Sequence, residues 1–257
     1  MKAVILAGGL GTRISEETHL KPKPMVEVGG MPILWHIMKI YASHGISDFT
    51  ICCGYKGGVI KEYFANYFLY MSDVTVDLRD NSMSVLNKYS EDWKVTLVNT
   101  GTETQTGGRL LRVKKYLEGD GSFCFTYGDG VGDLDIQSTI KFHNAHGKKA
   151  TMSVACPPSR FGAVSEQDGL VTSFKEKPIT DGEVINAGFF VLSSDVFDYL
   201  HDDNTIWEEE PLMKLTSESQ LMCWRHDGFW QPMDTLRDKN LLEDLWQNKS
   251  APWKVWE

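Results

Sequence analysis

The stretch KAVILAGGLGTR, residues 2–13, decides the fold of this 257-residue chain. Its first half is an unbroken apolar run that ends in glycine, a pattern typical of a strand buried on both faces of a parallel sheet. Gly8, Gly9 and Gly11 then form a turn whose backbone N–H groups are covered by few side chains. A turn of this kind after a strand can hold a phosphate group. The opening stretch therefore predicts an α/β fold with an anion site at the end of its first strand.

The rest of the chain alternates strand and helix patterns. Buried-strand patterns recur in FTICCGY, KVTLVNT, SFCFTYGD, ATMSVAC and INAGFFVLS, and helical spacing occurs in PILWHIMKIYASHG, VIKEYFANYF, GRLLRVKKYLEG, DIQSTIKFHNAHG and TLRDKNLLEDLWQN. This alternation predicts a Rossmann-like, doubly wound, mostly parallel mixed sheet with small β-hairpin additions. We treat residues 1–257 as a single catalytic domain with a first part to about residue 156 and a second part from about residue 157.

Two segments depart from the alternation. Residues 73–93 (DVTVDLRDNSMSVLNKYSEDW) combine short alternating runs with turn residues, which predicts a β-hairpin or arm. The sequence does not assign its role, and an oligomer contact is one hypothesis. Residues 161–178 (FGAVSEQDGLVTSFKEKP) hold two short runs around Gln167-Asp168-Gly169, a strong turn signal that predicts a second hairpin. The last predicted helix begins after Thr235, which we expect to be its N-cap.

Charge limits the partners of the protein. The formal net charge is −9, and the sequence has no run of Lys or Arg. Nucleic acids and anionic membranes both attract basic surfaces, so non-specific binding to either is not expected. The apolar run at the N-terminus is too short for a signal sequence or a membrane span, which favours a cytoplasmic protein. Any polyanionic substrate must then meet a local cluster of positive charge.

Five cysteines lie in apolar stretches, at positions 52, 53, 124, 156 and 223. A chain of this length with a sizeable core does not need disulfides, and an odd number cannot all pair within it. We therefore expect buried, reduced thiols. No spacing of Cys and His indicates a zinc site.

The glycine turn can be compared with two familiar phosphate-binding loops. The dinucleotide fingerprint requires a third glycine where this chain has Ile14, and the Gly-Lys-Ser/Thr of the P-loop is absent from the sequence. An alternative is that the glycines only let a strand and a helix pack. Against that alternative, Arg13 follows the turn directly, and Lys23 lies between Pro22 and Pro24, which hold its backbone in an extended conformation.

LAGGLGTR followed by KPKPM resembles the signature of the sugar-1-phosphate nucleotidylyltransferases, which couple a nucleoside triphosphate to a sugar 1-phosphate and release pyrophosphate. Further motifs extend the resemblance over nearly the whole chain, namely YGDGV (127–131), SFKEKP (173–178), INAGFF (185–190) and WQPMDT (230–235). Residues 99–117, NTGTETQTGGRLLRVKKYL, resemble members that use CTP and glucose 1-phosphate. Those members make CDP-glucose for the dideoxyhexoses of bacterial O-antigen lipopolysaccharide. The resemblance also implies a homo-oligomer, with a hexamer expected.

The chemistry of this family needs cations and oriented donors more than a side-chain base, because the sugar phosphate supplies an ionised oxygen as nucleophile. The resemblance implies that Arg13 lies near the leaving pyrophosphate, that Lys23 contacts the α-phosphate, and that Lys177 binds the phosphate of the sugar. A surface location is the ordinary alternative for each lysine. The residues expected to bind the nucleotide are Leu6, Ala7, Gly8, Gly9, Leu10, Gly11, Thr12, Arg13, Lys23, Thr104, Arg109 and Gly128.

A triphosphate also implies Mg²⁺, which usually takes one or two carboxylates together with phosphate oxygens. The resemblance places Asp129 and Asp234 on this metal, although an Asp at either position is often only a helix cap. On the sugar side it implies that the hexose contacts come from the second part of the chain. The residues concerned are Asn186, Ala187 and Gly188, with Glu183 or Trp230 at the border of the ring.

Selection of the base is a separate hypothesis. Cytosine presents acceptors at O2 and N3, whereas uracil carries a hydrogen on N3, so the donors of Arg109 suit cytosine. We expect Arg109, Thr104 and the flexible pair Gly107-Gly108 to select cytidine, and Gly128 to let the nucleotide approach the strand end. The alternative is that Arg109 is an ordinary arginine on the surface of a helix.

Two other functions remain open from the sequence. A glycosyltransferase is one, because Asp133-Leu134-Asp135 offers the Asp-x-Asp pair that can hold a metal and a nucleotide sugar, although such an enzyme needs neither the glycine loop nor the Lys-Pro motifs. A non-catalytic subunit with a nucleotide-binding fold is the other, although it would be expected to lack one of the lysines or carboxylates. Core packing explains most of the eight tryptophans, and the terminal APWKVWE, residues 251–257, is a candidate for docking on a neighbouring subunit.

Overall fold

The computed structural model describes residues 1–88, 91–156, 163–167, 170–175 and 184–256. The strands are β1 (Lys2–Ala7), β2 (Glu27–Val28), β3 (Met31–Pro32), β4 (Asp48–Cys53), β5 (Ser72–Asp77), β6 (Ser82–Lys88), β7 (Lys94–Asn99), β8 (Ser122–Tyr127), β9 (Gly130–Gly132), β10 (Ala150–Ala155), β11 (Ala163–Gln167), β12 (Leu170–Lys175), β13 (Ile185–Ser193), β14 (Leu221–His226) and β15 (Trp230–Pro232). The helices are α1 (Ser15–Thr18), α2 (Ile33–Ser43), α3 (Gly57–Ala65), α4 (Tyr67–Tyr70), α5 (Thr106–Val113), α6 (Ile136–His146), α7 (Glu210–Ser217) and α8 (Leu236–Gln247), with short 3-10 helices at Thr12–Ile14, Lys23–Met25, Lys114–Tyr116 and Ser194–Tyr199.

The central sheet has seven strands in the order β14-β10-β13-β8-β1-β4-β7. β1 is parallel to β4 and β8, β7 is parallel to β4, and β14 is parallel to β10. β13 runs antiparallel to both of its neighbours, β8 and β10. The sheet is therefore mostly parallel with one reversed strand, which confirms the predicted fold class. The carboxyl ends of β1, β4, β7 and β8 meet at one edge, where open α/β sheets bind ligands.

Helices cover both faces of this sheet. Successive side chains of a strand point to opposite faces. Ile5 of β1 accordingly packs in one apolar cluster with Ile37 of α2, whereas Val4 packs in another with Leu110 of α5 and with Trp207, and all five side chains are fully buried. Complete burial of one such aliphatic side chain contributes roughly 1.5–3 kcal/mol, so the two layers together hold the sheet in place.

Most of the predicted helix boundaries are found. α2 begins after Pro32, and Gly45 two residues past its end adopts a φ of 80° that favours glycine. Thr235 is the N-cap of α8 and forms a capping box with Asp238, as the sequence predicted for this helix start. The helix predicted over VIKEYFANYF is divided at Asn66 into α3 and α4, because Asn66 leaves the helical backbone conformation.

Both predicted hairpins are present. β5 and β6 pair antiparallel and form an arm outside the central sheet, on which Leu78 and Leu86 are 86% and 64% exposed. β11 and β12 also pair antiparallel, with Gln167 opposite Leu170. The residues between those two strands, 168–169, lie outside the described ranges.

The tryptophan-rich C-terminus packs on its own chain. Trp253 is fully buried and donates from Nε1 to Nδ1 of His36 at 3.3 Å, and Trp246 contacts the same imidazole edge-on. Trp256 lies beside this group, 5.7 Å from the ring of Trp35. The predicted docking of residues 251–257 on a neighbouring subunit is therefore wrong for Trp253, because the apolar surface that it covers belongs to α2 and α8 of the same chain.

The cysteines are free thiols, as expected, but they are not all buried. Cys52, Cys53 and Cys124 are buried, and burial raises the pKa of Cys53 to about 11 and that of Cys124 to about 12. Cys156 is half-buried, and Cys223 is exposed because β14 is an edge strand with one open face. None of the helices in the described ranges has the length and apolar character that a bilayer crossing requires.

Candidate active site

A cleft of about 530 Å³ opens at the carboxyl ends of β1 and β8. The cleft is lined by Leu6, Ala7, Gly8, Gly9, Leu10, Gly11, Thr12, Arg13, Lys23, Thr104, Arg109 and Gly128, all of which the sequence predicted to contact the nucleotide. Gly107 and Gly108, which were expected to help select cytidine, do not line it, because both are buried in α5. The lining also contains residues that the sequence did not single out for the nucleotide, namely Pro24, Thr102, Glu103, Gln105, Thr106, Tyr127, Asp129 and Glu208. The fold thus brings residues from distant parts of the chain to one edge of the sheet.

The glycines of the loop after β1 have different roles. A Cβ on Gly8 would overlap the guanidinium of Arg109, and Gly11 has a φ of 65° and lies against Thr18. Both positions therefore require glycine for packing. Gly9, by contrast, has no atom within 4 Å of the position of a Cβ. In the described part of the chain, no group accepts a hydrogen bond from the backbone N–H groups of residues 9–12, so these donors are available to an anion.

Arg109 holds the two loops that form one wall of the cleft. Its NH1 donates to Oγ1 of Thr100 at 2.9 Å and to the carbonyl of Gly101 at 2.6 Å, and its NH2 donates to the carbonyls of Gly8 at 3.0 Å and Thr102 at 3.1 Å. The side chain is buried, and burial lowers the pKa of Arg109 from its usual value, although a guanidinium stays charged at neutral pH.

The alternative that Arg109 is an ordinary arginine on the surface of a helix is wrong, because only 4% of Arg109 is exposed. This geometry also limits the predicted donation of Arg109 to a base. Four of the five guanidinium N–H groups are already bonded to the protein, which leaves the Nε group. Arg109 lies at the predicted place, but most of its donors hold the loops.

Lys23 also lines the cleft and is buried. It begins the 3-10 helix Lys23–Met25, so the extended backbone that the sequence predicted for Lys23 is wrong; the extended residue is Pro22, directly before it. Its ammonium donates to Oδ2 of Asp129 at 2.6 Å and to Oδ1 of Asp234 at 2.7 Å. Arg13, whose side chain is 70% exposed, donates from NH1 to Oδ2 of Asp234 at 2.6 Å. Two cations and two carboxylates therefore form one connected cluster.

The two carboxylates meet because of a small antiparallel pairing. Asp129 stands between β8 and β9, and Asp234 directly follows β15. β9 and β15 pair with Gly130 opposite Pro232, and the carbonyl of Asp129 accepts from the N–H of Met233 at 2.8 Å. Neither aspartate is the cap of a helix, because Thr235 performs that role for α8. The side chain of Asp234 is thus directed to the cations.

The cluster has the donor set that a hard divalent cation requires. The Lys23 ammonium lies between the carboxylates of Asp129 and Asp234 as a stand-in cation, which shows that the two groups converge on a single positive charge. No set of three or more His, Cys, Asp or Glu side chains in the described ranges could hold a metal. Two carboxylates together with substrate phosphate oxygens are nevertheless a usual set for Mg²⁺.

The residues predicted for the sugar lie beside Tyr127. Asn186 Oδ1 accepts from the N–H of Gly188 at 2.8 Å, and its Nδ2 donates to the Tyr127 hydroxyl at 3.4 Å. The carbonyl of Ala187 accepts from Nε1 of Trp230 at 2.8 Å, so the indole N–H of Trp230 is engaged with the protein. Lys177 and Glu183 lie outside the described residues.

Tyr127, Glu208 and Thr106 form a polar group in the cleft that sequence reasoning missed. Thr106 Oγ1 donates to Oε2 of Glu208 at 2.6 Å, and the Tyr127 hydroxyl donates to Oε1. Burial, reinforced by the charge of Glu208, raises the pKa of Tyr127 well above its ordinary value. Glu208 belongs to a run of three glutamates before a helix, and nothing local in that run indicates which of them enters a cleft.

The Asp-x-Asp pair of the glycosyltransferase alternative has structural roles. Asp135 is the N-cap of α6, where its carboxylate accepts from the N–H of Ser138 at 2.9 Å and from Oγ of Ser138 at 2.7 Å. The carboxylate of Asp133 lies 3.1 Å from Nε2 of His226. Neither residue lines the cleft, so the structure does not support that alternative.

Comparison with known proteins agrees with this geometry. The family model described as "Nucleotidyl transferase" matches residues 2–231. The chain belongs to the nucleotidyl transferase family. Within this family, the glucose-1-phosphate cytidylyltransferase of Salmonella typhi is 65% identical over 257 residues, which is 100% of both chains. The glucose-1-phosphate cytidylyltransferase of Salmonella typhimurium is 64% identical over the same full length.

Solved structures show the same fold for this nucleotidyl transferase. The crystal structure of HddC from Yersinia pseudotuberculosis superposes with a TM-score of 0.70 at 24% identity, covering 95% of this chain and 99% of that one. At this level of identity the likeness supports the fold alone. The resemblance noted in LAGGLGTR and KPKPM is thus confirmed at the level of the family.

Proposed function

We propose that this nucleotidyl transferase moves a cytidylyl group from CTP to α-D-glucose 1-phosphate, giving CDP-glucose and pyrophosphate. The observation that carries the proposal is the cleft, in which a glycine loop with free N–H groups faces a cluster of Lys23, Arg13 and two carboxylates. The chain is 65% and 64% identical over its full length to two glucose-1-phosphate cytidylyltransferases, and this similarity supports the choice of base and sugar.

The chain's own groups account for the reaction that the proposal requires. A phosphate oxygen of the sugar substrate attacks the α-phosphorus in line, the bond to the β-phosphate oxygen breaks, and pyrophosphate leaves with the bond electrons. The N–H groups of residues 9–12 hold the triphosphate, and exposed Arg13 neutralises charge on the leaving pyrophosphate. Lys23 stabilises the charge that develops at the α-phosphate.

Nucleotidyltransferases of this family generally use a divalent metal, and we assign Mg²⁺ to this one. Asp129 and Asp234 are the residues that would hold it, together with oxygens of the triphosphate. When bound, the ion supplies Lewis-acid stabilisation of phosphate charge. The same carboxylates orient Lys23 and Arg13 toward the cleft.

The remaining assignments follow the division of the chain. We assign nucleotide binding to about residues 1–156, where Thr104, Arg109 and Gly128 line the cleft, and sugar binding to about residues 157–257. Lys177 is assigned to the sugar phosphate, and Asn186, Ala187 and Gly188 to the hexose. We propose that the enzyme acts in the cytoplasm and that its product serves the synthesis of dideoxyhexoses for O-antigen lipopolysaccharide. We further propose that it is a homo-oligomer, with a hexamer as the expected state.

The test is pyrophosphate release with Mg²⁺ and glucose 1-phosphate, with CTP, UTP, ATP, GTP and dTTP in separate reactions. We expect release mainly with CTP and a product with the mass of CDP-glucose. Release with a different nucleotide would retain the reaction type and reject the choice of base. Absence of release with all five would reject the proposed pair of substrates.

A further inference from the structure

The side chain of Glu208 is fixed in the cleft by two hydroxyl groups. Thr106 Oγ1 donates to one carboxylate oxygen at 2.6 Å, and the Tyr127 hydroxyl donates to the other. Thr106 has a single hydroxyl proton, and its oxygen also accepts from the backbone N–H of Trp207 at 2.9 Å. The direction of the Thr106 bond is therefore set, and the carboxylate is held as an acceptor in one orientation.

The position of Tyr127 is fixed as well. Gly188 has a φ of 78°, and a Cβ at this position would lie 2.6 Å from the Tyr127 ring. Only glycine therefore allows the ring to take this place beside the sugar-side segment. Burial keeps the Tyr127 hydroxyl protonated, because it raises the pKa of Tyr127. The hydroxyl is therefore a donor to Glu208 at neutral pH.

Glu208 differs from the other carboxylates that line the described part of the cleft. Asp129 is paired with Lys23. Glu103 and Glu208 are both exposed, but within the described ranges no group donates a hydrogen bond to the side chain of Glu103. Glu208 alone among these three is pre-organised as an acceptor by bonds on both of its oxygens.

The surroundings of Glu208 join the proposed nucleoside end of the cleft to the sugar side, because the Tyr127 hydroxyl that bonds Glu208 also accepts from Nδ2 of Asn186 at 3.4 Å. Thr106 follows two residues after Thr104, and Tyr127 directly precedes Gly128, both of which we assigned to the nucleotide. The free N–H groups of residues 9–12 and the Lys23 cluster mark the phosphate end. Our assignment of Thr104 and Gly128 to the nucleotide places the base beside Thr106 and Tyr127, which line the same cleft.

The chemistry of the pyrimidines then separates two substrates. Cytosine carries a 4-amino group, which donates hydrogen bonds, whereas uracil carries a carbonyl oxygen at position 4, which only accepts. An ionised carboxylate only accepts, so it attracts the amino group and repels the carbonyl.

Resting on the proposed function, we propose that Glu208 selects cytosine by accepting a hydrogen bond from the 4-amino group of the base. Thr106 and Tyr127 are positioning residues that orient its carboxylate. This assignment places the selection of the base on a residue other than Arg109, most of whose donors hold the loops.

The experiment compares kcat/KM for CTP and UTP in the wild-type protein and in Glu208→Gln, which keeps the size of the side chain. We expect the ratio of CTP to UTP to fall at least tenfold, mainly through loss with CTP. Glu209→Gln, which removes the same charge from the neighbouring position outside the cleft, should leave the ratio unchanged. Thr106→Val should lower the ratio in the same direction, because it releases one carboxylate oxygen.

The outcomes separate the two proposals. A wild-type protein without preference for CTP would overturn the proposed function and the role of Glu208 together. A wild-type preference for CTP that survives in Glu208→Gln would overturn only the role of Glu208. An equal loss with CTP and UTP would also overturn it, because it would place the contact on the ribose or the sugar. If Glu103→Gln alone collapsed the ratio, selection would belong to Glu103.

Discussion

The ammonium nitrogen of Lys23 lies 2.7 Å from Oδ1 of Asp234, and the same nitrogen bonds Asp129 at 2.6 Å. The side chain of Lys23 is 9% exposed, so this pairing is largely removed from water. A divalent cation that uses the same oxygen atoms must compete with the ammonium for them. Metal binding and the freedom of Lys23 to reach a phosphate are therefore linked in this geometry.

The first prediction concerns the metal without its nucleotide. In Lys23→Met, the two carboxylates lose their shared cation, and we expect a loss of stability on the order of 2 kcal/mol in metal-free buffer. Added Mg²⁺ should then raise the melting temperature of this variant more than that of the wild type, because it no longer competes with an ammonium. Thermal unfolding with and without Mg²⁺ measures both effects. Lys21→Met, which removes only the pairing with exposed Glu27, is the control, and an equal response to Mg²⁺ in all three proteins would contradict the prediction.

The second prediction separates the metal carboxylates from the Asp-x-Asp pair. We expect Asp234→Asn to lower the turnover number about 10²–10³-fold, because it weakens charge stabilisation around the transferred phosphate. Asp133→Asn should retain turnover, since Asp133 contacts His226 outside the cleft. Steady-state pyrophosphate release at saturating substrate concentrations gives the turnover number of each variant. The assignment fails if the two variants lose turnover to the same degree.

The third prediction uses two adjacent glycines that differ in their surroundings. Gly8→Ala places a methyl group against the guanidinium of Arg109, and we expect it to destabilise the fold by about 1–3 kcal/mol. Gly9→Ala meets open space and should leave the free energy of unfolding within about 0.5 kcal/mol of the wild-type value. Urea unfolding of the two variants tests this difference, which would be refuted by equal losses.

The fourth prediction concerns pH and His36. Nδ1 of His36 accepts from Trp253, and Nε2 donates to the carbonyl of Val28 at 2.9 Å, so the ring is neutral in the fold. Burial lowers the pKa of His36 to about 4, even though its backbone hydrogen bonds and the charge of Glu243 act in the opposite direction. The unfolded chain takes up a proton below about pH 6.5 and the folded chain only below about pH 4, so stability falls as the pH is lowered through this window.

The expected contribution of His36 is a loss of about 2 kcal/mol between pH 7.5 and pH 5. Unfolding free energies measured at the two pH values for the wild type and for His36→Gln show how strongly the stability of each protein depends on pH. Because burial also lowers the pKa of His143 to about 4, the variant should retain part of the pH dependence. A slope identical in both proteins would show that His36 is not responsible.

A fifth prediction tests the proposed oligomer through the arm. Leu78 and Leu86 are exposed apolar side chains on the β5–β6 hairpin, and such groups are typical of contacts between subunits. Leu78→Glu should lower the mass found by sedimentation without changing the melting temperature of the protein at high dilution. Leu20→Glu is a matched control, since Leu20 is 73% exposed on a different surface. If the mass is unchanged in Leu78→Glu, the arm is not the contact.

Much of the fold could be predicted because its signals are local. The apolar run before Gly8, the stop at Gly45 and the cap at Thr235 each act within a few residues, and each appears where the sequence indicated. The direction of β13 was not predicted, because the pattern INAGFFVLS shows burial but not orientation. The division of a helix at Asn66 was also missed, since the apolar spacing continues across it.

Prediction of the site from the sequence was likewise limited to residues that lie in local motifs. Gly8, Lys23 and Asp129 were assigned to one substrate by the family resemblance of their motifs, and the positions of Gly8 and Asp129 after predicted strands agreed with that assignment. The bonds of Arg109 to Gly8 and Thr102 could not be foreseen, since they depend on how two loops meet in space. Glu208 was missed for a similar reason, because its partner Thr106 lies 102 residues away in the chain. Side-chain contacts between residues so far apart in the chain leave no local pattern in the sequence.

The short antiparallel pairing of β9 with β15 also determines when the charge cluster can form during synthesis of the chain. Asp234 reaches Asp129 only when residues 230–232 pair with residues 130–132, so a nascent chain that has displayed its glycine loop and Lys23 still lacks the second carboxylate. On the ribosome, β1, β4, β7 and β8 of the central sheet emerge long before this segment. The proposed chemistry therefore begins only after residue 234 has been made, and synthesis interrupted before this residue leaves a product that cannot assemble its charge cluster.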